Sequence, residues 1–124
     1  MYRVKVESSF SAAHNLRAYK GKCEALHGHN WKIEVVAQSK ELDNTGMVID
    51  FSVLKKELQR ILKQFDHAYL NKITPFTKIN PTSENIAVFI YKQLKKSIPE
   101  VCAVTVWESP SSSATYYEQT EQNI

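Results

Sequence analysis

Four histidines mark the places where this 124-residue chain could do chemistry. His27 and His29 stand in Cys23-Glu24-Ala25-Leu26-His27-Gly28-His29-Asn30, His14 closes Phe10-Ser11-Ala12-Ala13-His14, and His67 follows Asp66 directly. On an extended strand residues two apart share a face, so His27 and His29 present two imidazoles together. A third from His14 completes a three-nitrogen set with one coordination position left open, the pattern of catalytic rather than structural zinc. Three imidazoles also suit other divalent ions. A lone His-Gly-His is a weak signal, and the surroundings strengthen it. Cys23 and the Asp66-His67 pair add thiol, acid and base, the groups that proton-transfer chemistry requires.

The two cysteines divide. Cys102, in Val101-Cys102-Ala103-Val104, reads as a small buried hydrophobe. Cys23 stands beside Lys22, four residues before a candidate ligand, where a nearby cation or metal favours the thiolate. A reducing cytoplasm argues against a disulfide between them. Asp66 falls at the expected end of a helix, where its charge opposes the dipole, so the pair needs a reason other than capping.

Composition bounds the rest. The length fits one domain, residues 1–124. Hydrophobic content of 43% and charge of 23% are ordinary for a globular protein. The net charge of +3 is dispersed, with no basic stripe interleaved with aromatics, which argues against nucleic acid and remains compatible with a small anionic substrate. No stretch approaches the roughly 18 apolar residues of a membrane span. The charged, alternating start Met1-Tyr2-Arg3-Val4-Lys5-Val6-Glu7 is unlike a signal peptide, so the expected compartment is the cytoplasm.

The elements that must position these groups follow from periodicity. Residues 1–13 read as a strand with Val4, Val6 and Phe10 alternating. Residues 27–39 read as a second, with Trp31, Ile33, Val35 and Ala37 on the face of His27 and His29. Asp50 is a candidate N-cap for a helix over 51–65, carrying Val53 or Leu54, then Leu58, Ile61, Leu62 and Phe65. Thr82 caps a second helix, striped by Ile86, Phe89, Ile90 and Leu94 and ended by Pro99. Strands at 101–107 and 114–118 form a hairpin around the polar loop Glu108-Ser109-Pro110-Ser111-Ser112-Ser113. The order ββααββ predicts an α+β fold: a four-stranded antiparallel sheet with two helices on one face. Its exposed edges need cover, which predicts an oligomer.

Phe-x-Ala-Ala-His, Cys-x-x-x-His-Gly-His, Asp-His after the first helix, Pro-Thr-x-Glu-Asn before the second, and Glu in the hairpin occur here in that order. Together they resemble the 6-pyruvoyl-tetrahydropterin synthase family, and the Cys-to-His spacing is most similar to its 6-carboxy-tetrahydropterin synthases of the queuosine pathway. The resemblance implies a tunnelling fold, with trimers joined edge to edge and paired as hexamers, and active sites shared between chains. It implies Zn2+ on His14, His27 and His29, catalysis by Cys23, Asp66 and His67, and a pterin bound by Glu108 with Thr82, Ser83 and Glu84. The implied reaction converts 7,8-dihydroneopterin triphosphate to 6-carboxy-5,6,7,8-tetrahydropterin, acetaldehyde and triphosphate. Thiolate Cys23 and His67, made more basic by Asp66, would move the protons.

Two further outcomes stay open at this stage. One is a 6-pyruvoyl-tetrahydropterin synthase, which eliminates triphosphate and keeps the side chain. The other rests on Glu24: some relatives carry Glu near that position and cleave the side chain, giving 6-hydroxymethyl-dihydropterin. The plainer reading of Glu24 is a solvated loop acid. A non-catalytic metal or pterin-binding module is the third class, and the thiol with the Asp-His pair speaks against it.

Overall fold

In a computed structural model, residues 1–21 and 24–118 are described. Lys22 and Cys23 lie outside the described residues, as do 119–124, so the proton-transfer role expected of Cys23 has no structural account here.

Two long strands, β1 (Tyr2–His14) and β2 (His27–Ser39), run antiparallel from Tyr2 opposite Ser39 to His14 opposite His27. Both alternate as the sequence predicts. Val6, Phe10, Ala12 and His14 are buried from β1, and Trp31, Ile33, Val35 and Ala37 from β2. Asp50 caps α1 (Phe51–Leu62), its carboxylate accepting the Ser52 N–H, and Thr82 caps α2 (Ser83–Ser97) by accepting the Asn85 N–H. The two helices cover the apolar face of the sheet. Leu54, Leu58 and Ile61 from α1 meet Ile86, Ile90 and Leu94 from α2 in one core with that face. Val53 is exposed and Leu54 buried, which resolves the register of α1.

Three details differ from the sequence reading. The sheet has five strands, ordered β3-β1-β2-β4-β5, and is mixed. The extra strand, β3 (Ala68–Tyr69), pairs parallel to β1 at Ala12 and Ala13. Two residues carry no hydrophobic period, so nothing in the sequence announces them. Helix α1 stops at Leu62 rather than Phe65, and Phe65 is still fully buried from the turn that follows. The hairpin is tighter than expected: β4 (Val101–Ser109) and β5 (Ser112–Tyr117) leave two residues between them. Glu108 therefore belongs to a strand. The β4–β5 register shifts between Trp107 and Ser109, so Glu108 sits at a bulge, a device that re-aims a side chain. Cys102 is half-buried, and burial pushes its thiol pKa up, as suits an unreactive packing residue. Among the described residues no helix is long and apolar enough to cross a membrane.

Candidate metal centre

The register of β1 and β2 builds the site. His14 lies directly opposite His27, and Ala12 opposite His29. Strand parity puts all three imidazoles on the core face, at the end where the helices no longer cover it. Trp31 forms the floor. It is fully buried, its ring stands edge-on to His14 at 4.9 Å and to His29 at 5.2 Å, and its Nε1 donates to Ala12 O. Glu108 shares the inward parity of Val104 and Val106. Ligand atoms of His14, His27, His29 and Glu108 all lie within 4.8 Å of one another.

The hydrogen bonds around the rings select their tautomers. His14 Nδ1 is 2.8 Å from Pro81 O, and His27 Nδ1 is 2.9 Å from Ala25 O. A carbonyl only accepts, so each Nδ1 carries the proton and each Nε2 presents a lone pair. Those two Nε2 atoms are 3.0 Å apart. Two facing lone pairs repel unless a proton or a metal cation lies between them. Burial holds the His14 pKa below its ordinary 6.5, followed in size by the opposing Pro81 hydrogen bond, so a proton is the disfavoured choice. His29 Nε2 is buried and 2.9 Å from Glu108 Oε1, out of hydrogen-bonding alignment and without a hydrogen-bond partner among the described residues. A carboxylate, an unpartnered nitrogen and two converging lone pairs fit a divalent ion. The backbone carbonyls behind His14 and His27 are the outer partners that usually orient such ligands.

The Asp66-His67 pair is built differently. It follows α1 at the β1 edge. Asp66 Oδ1 accepts the Ser11 N–H at 3.0 Å, and Asp66 Oδ2 is 3.1 Å from His67 Nδ1. The His67 N–H donates to Ser11 O at 2.6 Å. The Ser11 N–H, ahead of His67, holds the Asp66 carboxyl below the usual carboxylate range. His67 adopts φ +57°, the left-handed region that residues other than glycine uncommonly enter, histidine more often than most. Its side chain is 83% exposed. The pair is not part of the four-residue cluster, although His67 and His29 border the same open cleft of about 540 Å³ on the β1–β2–β3 surface.

The other expected site residues are scattered between roles. The Thr82 hydroxyl is engaged as a cap, Ser83 is buried, and Glu84 is exposed in the first turn of α2. Glu24 Oε1 is shielded from solvent and has no hydrogen-bond partner among the described residues. It lies 3.4 Å from His27 Nδ1, whose proton Ala25 O already takes. Sequence reasoning missed that Glu108 would face the histidines, although its spacing of two from Val106 carried the signal. It also missed Pro81, whose part is played by a backbone carbonyl that residue type does not reveal.

Comparison with known proteins agrees with this geometry. The profile of the family described as 6-pyruvoyl tetrahydropterin synthase matches residues 3–119. A protein of Synechocystis sp. named 6-carboxy-5,6,7,8-tetrahydropterin synthase is 41% identical over 94% of this chain and 94% of its own. The dihydroneopterin monophosphate aldolase of Pyrococcus furiosus is 37% identical over 86% of this chain and 89% of its own. The solved structure of Caenorhabditis elegans 6-pyruvoyl tetrahydropterin synthase superposes with a TM-score of 0.81 at 32% identity, covering 95% of this chain and 96% of that one.

Proposed function

Because the chain belongs to the 6-pyruvoyl tetrahydropterin synthase family, whose members are lyases, we propose that it converts 7,8-dihydroneopterin triphosphate to 6-carboxy-5,6,7,8-tetrahydropterin. One water is consumed, acetaldehyde and triphosphate are the other products, and the pathway is queuosine biosynthesis in the cytoplasm. The observation that carries the reading is the convergence of His14, His27, His29 and Glu108 within 4.8 Å, in a chain 41% identical to a 6-carboxy-5,6,7,8-tetrahydropterin synthase.

The ion assigned to the site is Zn2+, held by His14, His27 and His29. Bound there, zinc supplies Lewis-acid polarisation of substrate oxygens. The chain's own residues supply the rest. Pro81 O and Ala25 O keep Nδ1 of His14 and His27 protonated, so both rings offer Nε2 inward. Cys23 is assigned one proton at the side-chain carbons. His67, paired with Asp66, is assigned the other. Glu108 is assigned the amino-pyrimidine edge of the pterin, with Thr82, Ser83 and Glu84 lining the same pocket.

The exposure of His67 supports an assembly in which chains join along sheet edges and share sites, as trimers or paired trimers. The β1 edge supports it as well. Ser11 is engaged there by Asp66 and His67, and among the described residues β3 pairs only with Ala12 and Ala13.

A second reading has its own observation. The Glu24 oxygen beside His27, shielded and without a partner among the described residues, supports Glu24 as an alternative base for cleaving the side chain to 6-hydroxymethyl-dihydropterin. Incubation with dihydroneopterin triphosphate, followed by mass analysis, separates the outcomes. Acetaldehyde with the 6-carboxy product supports the first reading. A two-carbon aldehyde still carrying phosphate, with 6-hydroxymethyl-dihydropterin, supports the second. Triphosphate release with the three-carbon side chain retained would overturn both in favour of a 6-pyruvoyl-tetrahydropterin synthase.

A further inference from the structure

Strand β1 loses its strand neighbours at His14, yet its hydrogen-bonding pattern continues for three more residues. The Asn15 N–H donates to Asn71 Oδ1 at 3.0 Å, and Asn71 Nδ2 donates to Asn15 O at 2.8 Å. Two residues on, the Arg17 N–H donates to Asn80 Oδ1 at 2.8 Å, and Asn80 Nδ2 donates to Arg17 O at 3.0 Å. Between them Leu16 O turns the other way and accepts the Glu24 N–H at 2.8 Å. The period of two is that of a strand, and the parity is unbroken: Ser11, Ala13, Asn15 and Arg17 all bond on the edge away from β2. A carboxamide has the donor and acceptor of a peptide group side by side, so each asparagine stands in for one residue of a missing strand.

Both asparagines are tied to the site. Asn71 is buried. Asn80 precedes Pro81, whose carbonyl holds His14 Nδ1, and Asn80 O accepts from Asn85 Nδ2 at the α2 cap. The Arg17 guanidinium fixes the same turn by donating to Phe76 O at 2.6 Å and Ile79 O at 2.8 Å. The metal ligand His14 and the base of the loop leading to His27 thus form one unit with residues 71 and 80–81. Nothing but these side chains satisfies the backbone of Asn15 and Arg17 among the described residues, and partly buried peptide groups are costly to leave unpaired.

We propose that Asn71 and Asn80 are positioning residues for the metal centre. Their carboxamides extend β1 past its last strand partner, fixing the register of His14 and of the Leu16 carbonyl that accepts the Glu24 N–H. The inference rests on the reading of His14 as a ligand and is independent of which pterin product forms. Visible titration of metal-free protein with Co2+, which reports both affinity and ligand geometry, tests it. Asn71→Ala and Asn80→Ala are each expected to weaken Co2+ binding about tenfold or more, the usual scale for outer partners of metal ligands, and to alter the visible spectrum. Asn80→Asp keeps the shape and the acceptor but turns an oxygen toward Arg17 O, and is expected to behave like Asn80→Ala. Val101→Ala, at the far end of β4 opposite Ala37, lowers stability by a core cavity and is expected to retain wild-type affinity and spectrum. Folded Asn80→Ala or Asn80→Asp protein with wild-type affinity and spectrum would overturn the proposal, as would equal weakening in Val101→Ala. Wild-type protein that takes up no Co2+ would overturn the ligand reading beneath it.

Discussion

The two halves of the candidate chemistry sit in opposite settings. The imidazole cluster is inward, floored by a fully buried Trp31, and its tautomers are selected by two backbone carbonyls. The Asp66-His67 pair is at the sheet edge, with Asp66 anchored to the Ser11 N–H and the His67 ring in solvent. A site that must hold an ion needs preorganised ligands, and one chain can supply them from two paired strands. A group that acts on a bound molecule needs only to reach it, and here it is presented outward. The contrast sets four converging ligand groups inside one chain against an acid–base pair presented to solvent.

The largest expected effect tests the inward half. His27→Ala combined with His29→Ala should reduce metal content from about one zinc per chain to none, as read by elemental analysis. Full occupancy in that variant would place the ligands elsewhere. The pH dependence has a definite sign. The His14 pKa is lowered in the folded chain, so the native state binds fewer protons than the unfolded chain near the ordinary 6.5. The contribution of neutral His14 is fully present above that value and is lost as pH falls through the lowered one. Denaturant midpoints and bound metal should therefore fall together on acidification below the ordinary value, and His14→Ala should remove this contribution from the stability curve of metal-free protein.

Glu108→Gln should have an intermediate effect, and it separates two roles. The carboxylate stands within reach of His29, yet its assigned partner is the pterin edge. If it anchors pterin, the amide should raise KM about tenfold or more while zinc content stays at wild type, since a hydrogen bond to a charged group is worth roughly 1.5–3 kcal/mol. If it is a resident ligand, metal affinity should fall instead. Elemental analysis beside steady-state kinetics distinguishes the two.

How much of this was legible in the sequence depended on periodicity. The long strands and both helices announce themselves through alternation and capping, and His27 with His29 inherited their face from Trp31 and Ile33. Strand β3 is too short to have a period, so the expected four-stranded antiparallel sheet became a mixed sheet of five. Pro110 and the serines around it suggest a long turn that would hold Glu108, whereas the hairpin closes in two residues. The carboxamide pairing of Asn71 and Asn80 joins residues 56 and 63 positions apart, a separation at which local pattern carries no information.

The smallest expected effect tests the outward half. His67 holds φ +57°, where a β-carbon crowds the following carbonyl at a cost of roughly 1–2 kcal/mol. Glycine escapes that crowding, and alanine does not. His67→Ala and His67→Gly both delete the exposed contact to Asp66, so their difference isolates the backbone. At an ordinary site glycine is the less stable of the two by roughly 0.5–1 kcal/mol. Here the order should reverse, with His67→Gly the more stable by about 1 kcal/mol in urea unfolding at matched protomer concentration. If alanine were equal or better, the conformation would be unstrained in solution. Reversal would mean that the chain sustains a left-handed histidine at a stability cost, a conformation that persists only where the surrounding structure holds it in place.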